Sequence, residues 1–407
     1  VTALSNIIIR TASFARSLPG PARVGLFLFF AAGLADGVLM PFFALWAQRE
    51  AGIATEYIGL LLGCYAGGEL LVTPFVGGIA DRVGRRPVLL VSTAGVGCGF
   101  LLLYLTRGAF AAAAALIVIG MFESVLHPTA ATTIADVVPQ TTLRRHFSLT
   151  RVMSNVGYTV GPALGALLAL RSLGLVFLAA AAALLCGTIV VALFLAETRP
   201  PSPAGAGDDD DEEEGLSALA AAFRDRRLAA LLLPIAVIEI AASWSEAVTP
   251  LYANNAGVLS VSGVGLLFTY AGALSAIFQL PVTEASTRWS GFAIILVGGA
   301  AQVAAFACLA VSPALPFLIA AMTLFALAGM LSRPLSQTIV AELAPSRAKA
   351  TYMAAFGSVG DLKDAVGPAI GTYLYAMMAV LPWGTGIVAS LVAFIALAVK
   401  VRSHEDT

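Results

Sequence analysis

Gly77-Gly78-Ile79-Ala80-Asp81-Arg82-Val83-Gly84-Arg85-Arg86-Pro87 is a short polar stretch between two apolar runs, each long enough to cross a bilayer. It reads as a membrane turn. Gly77 and Gly84 permit backbone conformations with φ > 0 and close helix approach, and Asp81 suits a helix terminus. Arg82, Arg85 and Arg86 hold such a loop on the cytoplasmic side.

Composition extends that reading to the whole chain. The 407 residues are 59% hydrophobic and only 12% charged, with a mean hydropathy of +0.91. No ordinary soluble class has these values, and they imply an integral membrane protein. Cys64, Cys98, Cys186 and Cys308 each fall in a different apolar run, without disulfide or metal-ligand spacing. The N-terminal arm, with Ile7, Ile8 and Ile9 among Arg10, Arg16 and Arg23, is too short in apolar length for a signal-peptide core. It reads as an interfacial or disordered cytoplasmic tail.

Twelve apolar segments follow, near 24–47, 57–79, 88–106, 109–135, 148–171, 173–195, 229–253, 262–284, 291–311, 316–340, 350–378 and 384–399. Both termini then share one side. Of the 23 Lys and Arg residues, only Arg49, Arg107 and Arg171 fall in loops on the opposite side, and Arg333 and Lys363 lie within segments. That bias puts the termini in the cytoplasm. The expected units are an arm at 1–23, six segments at 24–195, a linker at 196–228, six segments at 229–399 and a tail at 400–407. Pro200, Pro201 and Pro203, then unbroken acid from Asp208 to Glu214, make the linker a solvated connector.

The two sets of six repeat each other. One constant shift carries His127-Pro128 onto Arg333-Pro334, Asp136 onto Glu342, Pro139 onto Pro345 and Asn155 onto Asp361. The same shift brings Gly161-Pro162 onto Gly367-Pro368 and Gly165 onto Gly371. The G-x-x-x-D-R-x-G-R-R order of the opening stretch resembles the signature between the second and third helices of the major facilitator superfamily. Parallel duplication is the architecture of that superfamily's two halves. The resemblance implies an all-α fold of two pseudo-symmetric six-helix bundles. It also implies a cytoplasmic latch at Gly77, Asp81, Arg82, Gly84, Arg85 and Arg86, with Asp81 and Arg82 bridging to neighbouring helix ends, segment 11 among them.

Charge inside a bilayer faces a cavity or a partner. Segment 1 carries Asp36, segment 2 Glu69, segment 4 Glu123 and His127, and segment 7 Glu239 and Glu246. Segment 10 carries Arg333 and segment 11 Asp361, Lys363 and Asp364. Segments 3, 6, 9 and 12 carry none, as the resemblance implies for helices that lie outermost against lipid. Glu123 and His127, four apart, share a helix face and either pair or line the cavity. Glu239 lies near mid-membrane and is a better proton-site candidate than Glu246, which is nearer the outer end; a proton gradient is expected to act on one or more of Asp36, Glu69, Glu123 and Glu239. Asp361 and Asp364 are neighbours, whereas Lys363 points elsewhere, placed to snorkel or to neutralise an acid on segment 2 or 5; the trio reads equally as a structural salt-bridge cluster or as part of the transport site. An acidic surplus favours protons and cationic or amphipathic solutes, while Arg333 and His127 together offer a rival grip for a carboxylate or phosphate.

Gly157, Gly161, Pro162 and Gly165 resemble the G-x-x-x-G-P-x-x-G motif of the antiporter branch, physically small residues for close packing plus a bend. Two departures stand out: the arginine expected in segment 4 is Leu116, and the second-half hairpin signature has decayed to Glu284 and Arg288. Phe42, Phe43, Trp46 and Trp244 are read mainly as packing or interfacial anchors and secondarily as substrate contacts. The expected function is proton-coupled antiport exporting an amphipathic or cationic organic molecule. Proton-coupled import of an organic acid or nutrient is the alternative, and a non-transporting receptor or scaffold is the alternative from another class. No nucleophile elbow, phosphate-binding loop or metal cluster points to an enzyme, a cofactor or nucleic acid. The partners are a small molecule, protons and lipid. The chain is expected to act as a monomer in a bacterial inner membrane.

Overall fold

The computed structural model describes residues 18–73, 79–80, 83–198, 223–345 and 349–405. Among them the chain is helical, with no strand, and twelve helices follow in order. The first bundle holds α1 (Gly20–Arg49), α2 (Thr55–Val72), α3 (Arg85–Leu105), α4 (Ala109–Val137), α5 (Gln140–Leu168) and α6 (Gly174–Phe194). The second holds α7 (Arg226–Asn255, interrupted at Val248), α8 (Val261–Ser286), α9 (Gly291–Val311), α10 (Leu315–Leu343), α11 (Lys349–Met377) and α12 (Leu381–Glu405). An apolar solvent leaves the backbone to satisfy its own hydrogen bonds, which helices do within one segment. Side chains finish the ends: Ser260 accepts from the Gly263 amide before α8, and Ser290 accepts from the Ala293 amide before α9.

Two boundaries differ from the sequence reading. α7 begins at Arg226, inside the expected 196–228 linker, because Asp225 accepts from the Arg227 amide (2.8 Å) and starts the helix early. The Tyr352 hydroxyl donates to the same carboxylate, and with the Arg227 amide it holds Asp225 below the usual carboxylate range. α12 runs on to Glu405, so the expected 400–407 tail is helical as far as it is described. Hydropathy falls at Lys400, but no glycine or proline follows to stop the helix. The Arg402 guanidinium lies over the Phe292 ring at 5.6 Å.

Nine of the described helices are apolar and long enough to cross a membrane on composition alone. On the described residues α2, α5 and α11 fall short, through Glu56 and Glu69 in α2, Arg151 and Asn155 in α5, and Asp361, Lys363 and Asp364 in α11. α2 packs along α11 and α5 along α8, which are the principal contacts between the bundles. These helices face protein over much of their length and tolerate polar residues that a lipid-facing helix would not.

Glycines set how close those contacts come. The Gly59 amide donates to Thr372 Oγ1 at 3.1 Å, and a Cβ on Gly59 would overlap the Pro368 carbonyl. Across the other contact, a Cβ on Gly265 would lie 2.6 Å from the Phe42 ring and 2.8 Å from the Pro162 carbonyl. Both lie toward the end remote from the termini. There one apolar core joins the bundles: Phe42, Phe43 and Trp46 of α1 share it with Trp244, Phe268, Phe306 and Trp383. Toward the termini the core divides, with Leu18, Ala22, Ile134 and Leu149 on one side and Leu228, Ile235, Tyr352 and Leu397 on the other. The bundles therefore close at the remote end and part at the end that carries the termini.

Two outcomes follow from this packing. Gly161 sits on α1, where a Cβ would lie 2.6 Å from the Leu34 carbonyl; Gly161→Val is expected to destabilise by about 1–3 kcal/mol, read as a lower melting temperature of the purified protein. An unchanged melting temperature would mean that α1 and α5 separate freely. Gly59→Val is expected to bias the protein toward opening at the remote end. In a background lacking the four native cysteines, Thr372→Cys, at a site fully buried here, should then react several-fold faster with a membrane-impermeant maleimide; an equal rate would contradict the gate.

Candidate functional site

Where the bundles part, their facing sides are chemically unequal. On the first bundle, Asp36 of α1, Glu123 and His127 of α4 and Glu69 of α2 gather. α4 and α2 meet at Gly120, where a Cβ would overlap the Tyr65 carbonyl and lie 3.1 Å from the Glu69 amide. That glycine draws the two acid-bearing helices together. Glu123 is 1% exposed, and neither carboxylate oxygen has a hydrogen-bond donor. Its neighbour one turn on, His127, places Nε2 at 3.6 Å from Oε1, and the imidazole packs at 5.4 Å from the Phe29 ring.

The opposite wall is neutralised by pairing. Arg333 of α10 grips Glu239 of α7 with both ends of its fork: Nε donates to Oε1 at 3.1 Å and Nη2 to Oε2 at 2.7 Å. The Arg333 side chain is 56% exposed, so the pair borders the opening. Lys363 Nζ lies 2.9 Å from Asp364 Oδ1, as the salt-bridge reading of this trio has it, and not against an acid of α2 or α5. The long stem lets the ammonium fold back onto the adjacent residue, a freedom that helical periodicity does not constrain. Asp361 is exposed and Glu246 half-buried. Arg333 and His127 each meet an acid of their own bundle, so neither is free to grip an anion jointly.

The glycines of α5 form a single seam. Gly157 and Gly161 lie on the α1 backbone between Phe30 and Val38, Gly165 lies under the Phe42 ring, and Pro162 faces Gly265 of α8. The second bundle repeats the arrangement in part, Gly367 against Ser243 and Gly371 against Trp244 of α7. Phe42, Phe43, Trp46 and Trp244 are buried in the shared core, with Trp46 edge-on to Phe177 at 5.3 Å. Their placement serves closure of the remote end and not contact with a solute in the cavity.

Gly77, Asp81 and Arg82 lie outside the described residues, so the structure speaks only for the second half of that motif. Gly84 has φ +104°, a conformation that glycine permits. The Glu197 carboxylate then accepts from the amides of Arg85 (2.9 Å) and Arg86 (3.1 Å), supplying the cap that α3 lacks locally. Arg85 is buried; its Nε donates to Asp136 at 3.2 Å and its Nη1 to the Ala80 carbonyl at 2.8 Å. Arg86 donates to the Ala192 carbonyl at 2.9 Å. Sequence reasoning missed Glu197 as a partner. Its signal was an acid directly after segment 6, on the side of the basic loop.

The comparisons agree with this architecture. The family model of the Major Facilitator Superfamily matches residues 25–368. Among curated relatives, the tetracycline resistance protein of class G from Vibrio anguillarum is 28% identical over 338 residues, covering 82% of this chain and 83% of its own. The class C protein from Escherichia coli is 28% identical over 361 residues, covering 85% and 87%. Among solved structures, the nucleoside transporter NupG superposes with a TM-score of 0.76 at 13% identity, covering 94% of this chain and 98% of that one. A bacterial homologue of the human lysosomal transporter Spinster, inward-facing and unoccupied, superposes at 0.73 with 16% identity, covering 95% and 96%. At those identities the structures show the fold alone. With a family match over most of its length and this two-bundle fold, the chain belongs to the major facilitator superfamily.

Proposed function

We propose that the protein is a proton-coupled exporter of an amphipathic or cationic small organic molecule, working by alternating access between its two bundles. One observation carries the choice of solute: the bidentate Arg333–Glu239 pair. It cancels the charge of the exposed Arg333, and Lys363 is held by Asp364. Asp36, Glu69 and Glu123 on the facing wall have no Lys or Arg partner among the described residues. The facing sides therefore offer a solute carboxyl groups and no unpaired fixed cation among the described residues, which favours cations over organic acids. The tetracycline resistance relatives support export of a drug-like molecule. Import of an organic acid would require Arg333 to leave Glu239, and nothing among the described residues offers it a better partner.

Coupling is assigned to the same pair. Glu239 and Arg333 join α7 to α10, and one proton on the carboxylate releases the guanidinium. Release changes the relative stability of the two cavity orientations, and an exchanger needs that linkage. The cavity is bounded by the end that carries the termini, which the loop charges place in the cytoplasm of an inner membrane. Solute enters there, and closure of that end with opening at Gly59 and Gly265 delivers it to the other side. The machinery is complete in one chain, and lipid covers the uncharged outer helices.

Glu239→Gln tests the assignment. The amide oxygen still accepts from Arg333, so the fold is expected to survive with a melting temperature close to the parent. Solute-triggered proton flux in proteoliposomes should fall at least tenfold while solute binding changes by less than threefold. Intact coupling in the variant, or a variant that no longer folds, would remove Glu239 from the coupling site.

A further inference from the structure

We infer that Asp36, Glu123 and His127 form a binding site for a divalent transition-metal cation of the Zn2+ or Mn2+ kind. Three observations converge on it. One ligand atom from each of the three residues lies within 4.8 Å of the other two. Metal–ligand bonds of about 2.0–2.2 Å place ligand atoms roughly 3–3.5 Å apart, so small rotations of the Asp36 and Glu123 side chains close the set. His127 Nε2 and Glu123 Oε1, at 3.6 Å, are already near that spacing.

The second observation is the state of Glu123. Both of its oxygens are buried without a hydrogen-bond donor in a residue that is 1% exposed. A carboxylate in that setting is costly unless a proton or a cation meets it. Asp136 and Glu197, at the far end of the bundle, have well-formed donors instead. The third is the imidazole. Phe29 packs against the ring at a tilt of 45°, with 5.4 Å between centroids, which restricts the imidazole's orientation without engaging either nitrogen.

The donor set decides the class of ion. One imidazole and two carboxylates suit Zn2+, Mn2+, Fe2+, Co2+ or Ni2+, whereas Mg2+ and Ca2+ prefer oxygen alone and Cu+ prefers sulfur. The His127 side chain is 36% exposed, so the ion enters from the cavity and keeps open positions facing it. Glu69 of α2 stands beside the triad and adds negative character without joining the ligand set, while the neutral Tyr65 hydroxyl lies within reach of the Glu123 carboxyl. The site rests on the first bundle alone and does not depend on the direction of transport or on Glu239.

The test uses the full chain in detergent, freed of any affinity tag, titrated with Co2+ and followed by its visible d–d absorption. One equivalent should bind per chain, and Zn2+ should displace it. Glu123→Gln and His127→Ala should each weaken binding by at least about tenfold, with His127→Gln as the second variant if alanine impairs folding. Glu284→Gln, an exposed acid at the end of α8, should bind as the parent does. Absence of Zn2+-displaceable absorption in the parent would overturn the site. Binding that survives in folded triad variants would overturn it equally, since it would place the ion elsewhere.

Discussion

The contact of backbone on backbone at Gly59 and Gly265 is the constraint on which the remaining structure depends. In a bilayer, apolar side chains gain little by leaving lipid for one another, so helices associate through close approach and matched surfaces. The Gly59 amide reaches the Thr372 hydroxyl because no side chain stands between α2 and α11. Gly265 brings α8 onto Pro162 of α5 in the same way. Those two seams draw the aromatic residues of both bundles into one core at the remote end, and the bundles diverge from there toward the termini. Cavity, gate and solute path all follow from where the seams stop.

Within this frame, charge is distributed by what each helix faces. α3, α6, α9 and α12 carry none in their apolar spans and surround the bundles. The cavity helices hold acids and bases in an unequal division: pairs on the second bundle, a triad beside Glu69 on the first. A pair can be opened and closed as the bundles move. Three ligands on two helices of one bundle form a fixed site. The proposed roles divide accordingly: a movable switch at Glu239–Arg333 and a stationary cation site at Asp36, Glu123 and His127.

Much of the fold was legible in the sequence, because lipid imposes a length and a hydropathy on each span and loops reveal their side by Lys and Arg. The repeat of His127-Pro128 in Arg333-Pro334 announced the two-bundle design, and in the structure His127 lies against Glu123 of its own bundle and Arg333 against Glu239 of its own. Partners were less legible. Helical periodicity tells which face Glu239 occupies but not that Arg333, on a helix far along the chain, will fold onto it. It left Lys363 between an acid on another helix and a salt bridge within its own trio, and the four-carbon stem returns to Asp364. Asp36 reaches Glu123 and His127 only through the crossing of α1 and α4, which no spacing encodes. Glu197 was hidden by its place at the head of an acidic linker whose composition suggested solvent throughout.

The central claim is exchange of protons for a cationic or amphipathic solute, and the most direct measurement is proton movement in proteoliposomes holding the unaltered protein. A pH gradient is imposed, and cationic, neutral and anionic solutes are added in turn. The account predicts that cationic or amphipathic solutes trigger proton movement opposite to their own flux, and that anionic solutes trigger none. Protons moving in the same direction as an organic acid would contradict it, and would mean that Arg333 leaves Glu239 to bind the solute.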